Sequence, residues 1–250
     1  MSAAPRLVDG EVAYEPGAGR GPRVLVVACG AIAREVLDVI RLNGWSNVTL
    51  RCLPGKLHNT PARIAERVDA KLRQAEAEGG WDRVFVAYGD CGTGGALDRV
   101  VAAHGVGRLP GDHCYAFLAG VETWLGLHEA EPRTFYLTDF LCRHFDRLVV
   151  EGLGLDRHPE LLPDYFGNYR RVVYLAQRHD PALARKARAA AAYLGLALEV
   201  RRTGLGDLRP ALERVVSRSC IGAAPLSPVQ TDAGHGAHRG YVTGSRTEER

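Results

Sequence analysis

The chain has 250 residues, 46% of them hydrophobic and 24% charged, with a formal net charge of +3. That apolar content suits one large α/β domain or two small lobes. The charge is too small and too evenly mixed for a nucleic-acid surface, and no Lys/Arg run carries interleaved aromatics. No stretch approaches the ~18 apolar residues of a membrane span. Residues 1–22 lack the basic segment and apolar run of a secretory signal. The expectation is a cytoplasmic protein with reduced thiols. Its six cysteines (Cys29, Cys52, Cys91, Cys114, Cys142 and Cys220) then read as buried residues, nucleophiles or metal ligands before disulfides.

Residues 1–21 and 219–250 hold Gly, Pro, Ser and Thr without apolar periodicity, and are expected to be disordered tails. His235 and His238 fall in the second of these. Between them, Val24 to Ala28 is an unbroken apolar run of strand length ending in Cys29-Gly30, as in a parallel sheet covered on both faces. Ile32, Val36, Val39 and Ile40 recur at helical spacing until Asn43-Gly44. Val48 to Leu53 reads as the second strand, and Asn59-Thr60-Pro61 as a helix start with a capping residue before proline. Ile64, Val68 and Leu72 continue that helix to Gly79-Gly80. Val84 to Tyr88 is the third strand, followed by Gly89-Asp90-Cys91-Gly92 and a helix marked by Leu97, Val100 and Val101.

This rhythm is that of a mostly parallel, doubly wound (Rossmann-like) α/β sheet. Further on, Ala116–Leu127 reads as a helix, Phe135–Thr138 as a short strand and Phe140–Val150 as a helix. Arg171–Ala176, Pro181–Tyr193 and Leu196–Val200 form a second strand–helix–strand unit, with Gly195 closing its helix. An α/β domain over 22–218 follows. It is arranged either as lobes 22–127 and 169–218 joined by 128–168, or as one longer sheet.

The chemically distinctive side chains fall at one edge. Cys29 lies just past the first strand, His58 in the loop after the second, and Cys91 just past the third. His113 and Cys114 follow in the next loop. Parallel strands open all these loops on their carboxyl side, where α/β proteins bind ligands. Zn²⁺ and similar ions take three or four thiolate or imidazole donors, so Cys29, His58, Cys91 and one of His113 or Cys114 form a candidate metal site. No Cys-x-x-Cys pair supports a zinc-finger pattern. Glycine after Cys29 and after Cys91 permits close approach of a ligand or backbone. Cys52, Cys142 and Cys220 read as buried structural thiols. Gly92, Gly94 and Gly95 open a helix whose amides favour an anion, although they match neither the dinucleotide fingerprint nor the Walker loop. Asp90 reads as a cap for that turn rather than a base. The late arginines (Arg185, Arg188, Arg201, Arg202 and Arg209) read as the polar face of a helix and a strand end.

Ala28-Cys29-Gly30, Leu57-His58-Asn59 with Pro61, Tyr88-Gly89-Asp90-Cys91-Gly92 and His113-Cys114 with Gly120 carry a resemblance. Over residues 23–215 the chain resembles the proteins grouped as domain of unknown function 1638. The resemblance implies a role near corrinoid-dependent methyl transfer or one-carbon metabolism, with a methyltransferase or corrinoid protein as partner. The cobalamin-binding pattern Asp-x-His-x-x-Gly is absent from the sequence, which counts against direct corrinoid binding of the usual kind. Three functions remain open at this level. One is a zinc site that activates a thiol or water. Another is a metal-free two-cysteine enzyme of racemase type, which needs thiols of low pKa. The third is a non-catalytic module that carries a small ligand or metal.

Overall fold

The computed structural model describes residues 4–8, 11–16, 19 and 21–217. Cys220, His235, His238 and the tail expected over 219–250 lie outside them. A six-stranded sheet contains β1 (Arg6–Val8), β2 (Glu11–Tyr14), β3 (Val24–Cys29), β4 (Val48–Leu53), β5 (Arg83–Ala87) and β6 (Gly107–Arg108), in the order β1-β2-β4-β3-β5-β6. β4, β3, β5 and β6 run parallel, while β1 and β2 are an antiparallel extension beside β4. Part of the amino-terminal stretch expected to be a tail is therefore sheet. Its local reason is Tyr14, which is buried in the core below β4.

The apolar runs divide by parity, as alternate side chains of a strand must. Val24, Val26 and Ala28 face one core with α1 (Ala33–Leu42). Leu25 and Val27 face the other, with α2 (Ala62–Glu78) and α3 (Ala96–Ala103). Helices thus cover both faces, which is why these strands read as continuous apolar runs rather than alternating ones. The helix expected after Asn59-Thr60-Pro61 forms, but without a side-chain cap. A 3-10 turn over Gly55–Asn59 leads into it instead.

The expected helix over 116–127 is two helices, α4 (Cys114–Ala119) and α5 (Val121–Ala130). They are broken at Gly120, whose φ of 86° cannot continue a right-handed helix. A second, three-stranded parallel sheet follows. It starts with β7 (Thr134–Thr138), continues through α6 (Asp139–Arg143), a π-helical turn (Asp146–Val150) and α7 (Leu162–Phe166), and reaches β8 (Arg171–Ala176). Then come α8 (Pro181–Tyr193), capped by Asp180 accepting from the Ala182 N–H at 2.8 Å, and β9 (Ala197–Arg202). The strand order is β7-β8-β9. The segment 128–168 therefore contains the first strand of the second sheet, and Thr134–Thr138 pairs with Arg171–Leu175.

The chain then returns. α9 (Leu208–Ser217) packs Leu208, Ala211, Leu212 and Val215 into the core under the first sheet, beside α1. Asp207 fixes the crossing. Its N–H donates to the Phe117 carbonyl at 2.7 Å, and its carboxylate accepts from the Val121 N–H, the start of α5, at 2.8 Å.

Candidate functional site

In the first sheet the strand order 4-3-5 makes β3 the point where the chain reverses its direction of sheet building. The crevice beyond the carboxyl ends at such a switch is where doubly wound proteins hold ligands. Cys29 ends β3, and Cys91 lies four residues beyond β5, so the two thiols flank that crevice. The loop carrying His113 and Cys114 is tied to the same edge. The Asp90 N–H donates to the Gly111 carbonyl at 3.0 Å and the Cys91 N–H to the Asp112 carbonyl at 2.5 Å. Gly89 makes this docking possible, since a β-carbon there would stand 2.8 Å from His113 Cα. Cys91 itself sits at φ 52°, the one described non-glycine residue at positive φ. Such a backbone costs about 1–2 kcal/mol for a side-chain-bearing residue and concentrates at functional sites.

Cys29, Cys91 and Cys114 share one electrostatic environment. All three are free and partly buried. Burial pushes the Cys29 thiol up, with the Ala31 backbone and the neighbouring Tyr88 hydroxyl opposing. Burial pushes Cys91 up to about 12, and the adjacent Cys29 adds to it. Cys114 is raised well above the ordinary value by burial, then by Cys91, Cys29 and Glu35. Each thiolate would therefore repel the next in a poorly solvated place. The Tyr88 hydroxyl, fully enclosed, sits beside Cys29 without a well-formed hydrogen bond of its own.

The histidines stand differently. His58 stands on the 3-10 turn after β4 with part of its side chain exposed, and the protein around its ring disfavours the imidazolium. His113 is held to about 4, first by burial, with His58 and His128 adding repulsion. Its ring packs edge-on against Trp124, with centroids 4.7 Å apart, and against Tyr115 at 5.0 Å. Its Nδ1 is buried without a partner. Both imidazoles are thus neutral near pH 7 and have the form a metal ligand requires. Among the described residues, however, no three His, Cys, Asp or Glu side chains are gathered as an ion needs. The sequence-predicted donors share a neighbourhood; they do not form a closed coordination shell.

The glycine turn after Cys91 does not offer itself to an anion. The N–H groups of Gly94 and Gly95 donate to the Asp90 carboxylate at 3.0 Å each, and Thr93 donates its hydroxyl to the same group. Gly92, Gly94 and Gly95 instead supply positive φ for the turn. The anion expected there is replaced by the protein's own carboxylate.

The second sheet brings residues that the sequence reading did not select. The 3-10 turn Gly30–Ile32, just past Cys29, packs on α6. The Phe140 ring lies 3.2 Å from where a Gly55 β-carbon would stand. The carboxyl ends of β3 and β4 therefore lie against the carboxyl end of β7. At this junction Asp139 is wholly buried. Its Oδ1 accepts from the Tyr174 hydroxyl at 2.7 Å and the Gln177 N–H at 3.1 Å. Glu35, on α1, is 2% exposed and neither carboxylate oxygen has a partner. Burial raises its pKa to about 6, with Arg143 and Arg178 opposing and Asp139 reinforcing. A signal for Glu35 exists in the sequence. It lies three residues after Ile32 and four before Val39, within the inward apolar stripe.

The fold and site define a two-sheet α/β protein with a thiol-lined edge facing a polar junction. A family model described as "Protein of unknown function (DUF1638)" matches residues 52–212, and the chain belongs to that family. No curated protein matches the sequence. Among solved structures, a cold-adapted esterase from an Arctic intertidal metagenomic library is similar at 14% identity over 86% of this chain and 92% of that one. Its TM-score is 0.28, too loose a superposition to carry an argument. No described helix is long and apolar enough to cross a membrane.

Proposed function

We propose that this protein binds a soft metal ion, with zinc the expected one, at the carboxyl edge of its first sheet. Cys29, Cys91 and Cys114 would be the thiolate donors, and His58 or His113 the imidazole. The observation that supports this reading is three thiols at one sheet edge, Cys29 at the end of β3, Cys91 beyond β5 and Cys114 at the start of α4, near enough for Cys29 to raise Cys91 and for both to raise Cys114. Deprotonating them together is costly without a cation, and a bound cation reverses that cost. Gathering the donors requires side-chain rotation between staggered rotamers and a shift of the exposed His58 turn.

The same shifts count against the metal-free two-cysteine reading. A thiol base needs a lowered pKa, and these are raised. The second lobe's described cysteine, Cys142, is buried in that lobe's own core. A thiolate-bound ion with an open position would activate a thiol or water, the chemistry that a role in methyl transfer would use.

Metal analysis of protein purified without a histidine tag tests the reading. The expected result is close to one zinc per chain, falling at least ~5-fold in Cys91→Ser, since three- and four-ligand sites hold zinc tightly. Less than ~0.2 metal per chain after zinc loading, or no change in Cys91→Ser, would overturn it.

A further inference from the structure

At the amino ends of β3, β4 and β5, the sheet edge opposite the thiols, described residues line a cavity of about 490 Å³. That volume suits a small organic ligand. Gly79-Gly80-Trp81, which closes α2 and leads into β5, builds its platform. The Arg23 guanidinium lies over the Trp81 ring, 4.5 Å from its centroid, and that of Arg51 lies 5.5 Å from it. Arg51 is held by both oxygens of Glu78, at 2.9 Å each. Arg23 is placed through its backbone instead. Its N–H donates to the Asp82 carboxylate at 2.7 Å, and its carbonyl accepts from the Asp82 and Arg83 N–H groups at 2.9 and 3.2 Å. Gly80 leaves room for the guanidinium, since a β-carbon there would stand 2.6 Å from Arg23 Nη1. Among the described residues no acid forms an ion pair with that guanidinium.

We propose that this cavity binds a nucleoside, with its planar base stacked on the Arg23 guanidinium. A guanidinium is planar, stacks on aromatic faces and serves as a plane on which bases stack in turn. The choice of ligand follows from charge and lining. Arg23 and Arg51 meet Glu15 and Glu78 in the same wall, so the cavity has no net charge with which to attract a phosphate or a carboxylate. Ser46, Asn47 and Thr49 add hydroxyl and amide groups, which hydrogen-bond to the edge of a base or the hydroxyls of its ribose. Asn47 is fixed there by donating its side-chain N–H to the Pro22 carbonyl at 2.6 Å. A sugar alone would meet the polar wall but leave the stacking plane empty. This inference uses none of the thiols or histidines, and it stands or falls separately from the metal reading.

Isothermal titration and saturation-transfer NMR on the full chain test it, with adenosine, inosine, cytidine and uridine as probes. At least one nucleoside is expected to bind with a Kd below ~1 mM, with transfer concentrated on the protons of its base. Arg23→Ala should weaken that binding at least ~5-fold, the low end of what one stacked base contributes. Arg23→Lys keeps the charge but loses the plane, and should weaken it as well. Arg41→Gln, at an exposed position of α1, should bind as the wild type does. If Arg23→Ala fails to fold, Arg23→Lys is the deciding variant. Binding of none of the four, equal affinity in Arg23→Lys and wild type, or equal transfer to ribose alone would overturn the proposal. So would a nucleoside monophosphate held at least ~10-fold more tightly than its nucleoside, which would mark an anion site.

Discussion

At the scale of single residues, two groups carry the chemistry through their surroundings. Glu35 lies within electrostatic reach of Arg143 and Asp139 on α6, Arg178 after β8, and Cys114 on α4. Its pKa rises from 4.5 to about 6 because burial penalises the carboxylate. The folded state therefore holds its proton more tightly than the unfolded chain. Glu35 thus contributes stability below about pH 4.5 that is lost as pH climbs through about 6, by roughly 2 kcal/mol at 1.36 kcal/mol per unit. In Glu35→Gln that part of the decline should vanish. Urea denaturation of both proteins between pH 4.5 and 7.5 measures it, and parallel pH profiles would refute the assignment. The thiols form the second group. With Cys29, Cys91 and Cys114 pushed upward, their thiolate fraction at pH 7 lies far below the few per cent of an ordinary cysteine. Iodoacetamide should label them at least ~100-fold more slowly in the folded, metal-free protein than after unfolding. Mass spectrometry of the labelled peptides would expose a reactive thiol if one exists.

At the scale of elements, the strands that position the thiols were legible because each is a continuous apolar run ending in a glycine-bearing loop. β3, β4, β5 and β8 lie within a residue or so of the runs that mark them. Cys29 and Cys91 could be placed at a sheet edge for that reason. The short elements were not legible. β6 is two residues, Gly107–Arg108, with no apolar pattern, so nothing marked the end of the first sheet. The division at Gly120 was masked by apolar residues on both sides of it. Asp139 was not legible because its hydrogen bonds reach Gln177, 38 residues away, which no local periodicity encodes. Two glycine substitutions separate loop docking from helix propensity. Gly89→Ala should destabilise by about 1–3 kcal/mol, since the new methyl meets His113 backbone rather than a movable side chain, and should also weaken metal uptake. Gly126→Ala, in α5 with open space around it, should instead stabilise by about 0.5–1 kcal/mol. Calorimetry of the two variants distinguishes them by sign.

At the scale of the molecule, α9 returns from the second sheet to complete the core beneath the first, so the chain crosses between the sheets twice. That closure holds the junction together: Asp207 ties the crossing to α4 and α5, and the Arg178–Asp38 pair bridges from β8 to α1. One edge therefore presents buried thiols and the facing edge presents Arg143 and Asp139. The proposed metal site at the thiol edge joins these levels. Titration of metal-free protein with Co²⁺, followed by absorption, is the decisive test. The predicted result is a thiolate-to-cobalt charge-transfer band saturating at about one ion per chain and displaced by zinc. It should weaken in each of Cys29→Ser, Cys91→Ser and Cys114→Ser. Absence of the band in the wild-type protein, or its persistence when all three are changed together, would rule the metal site out.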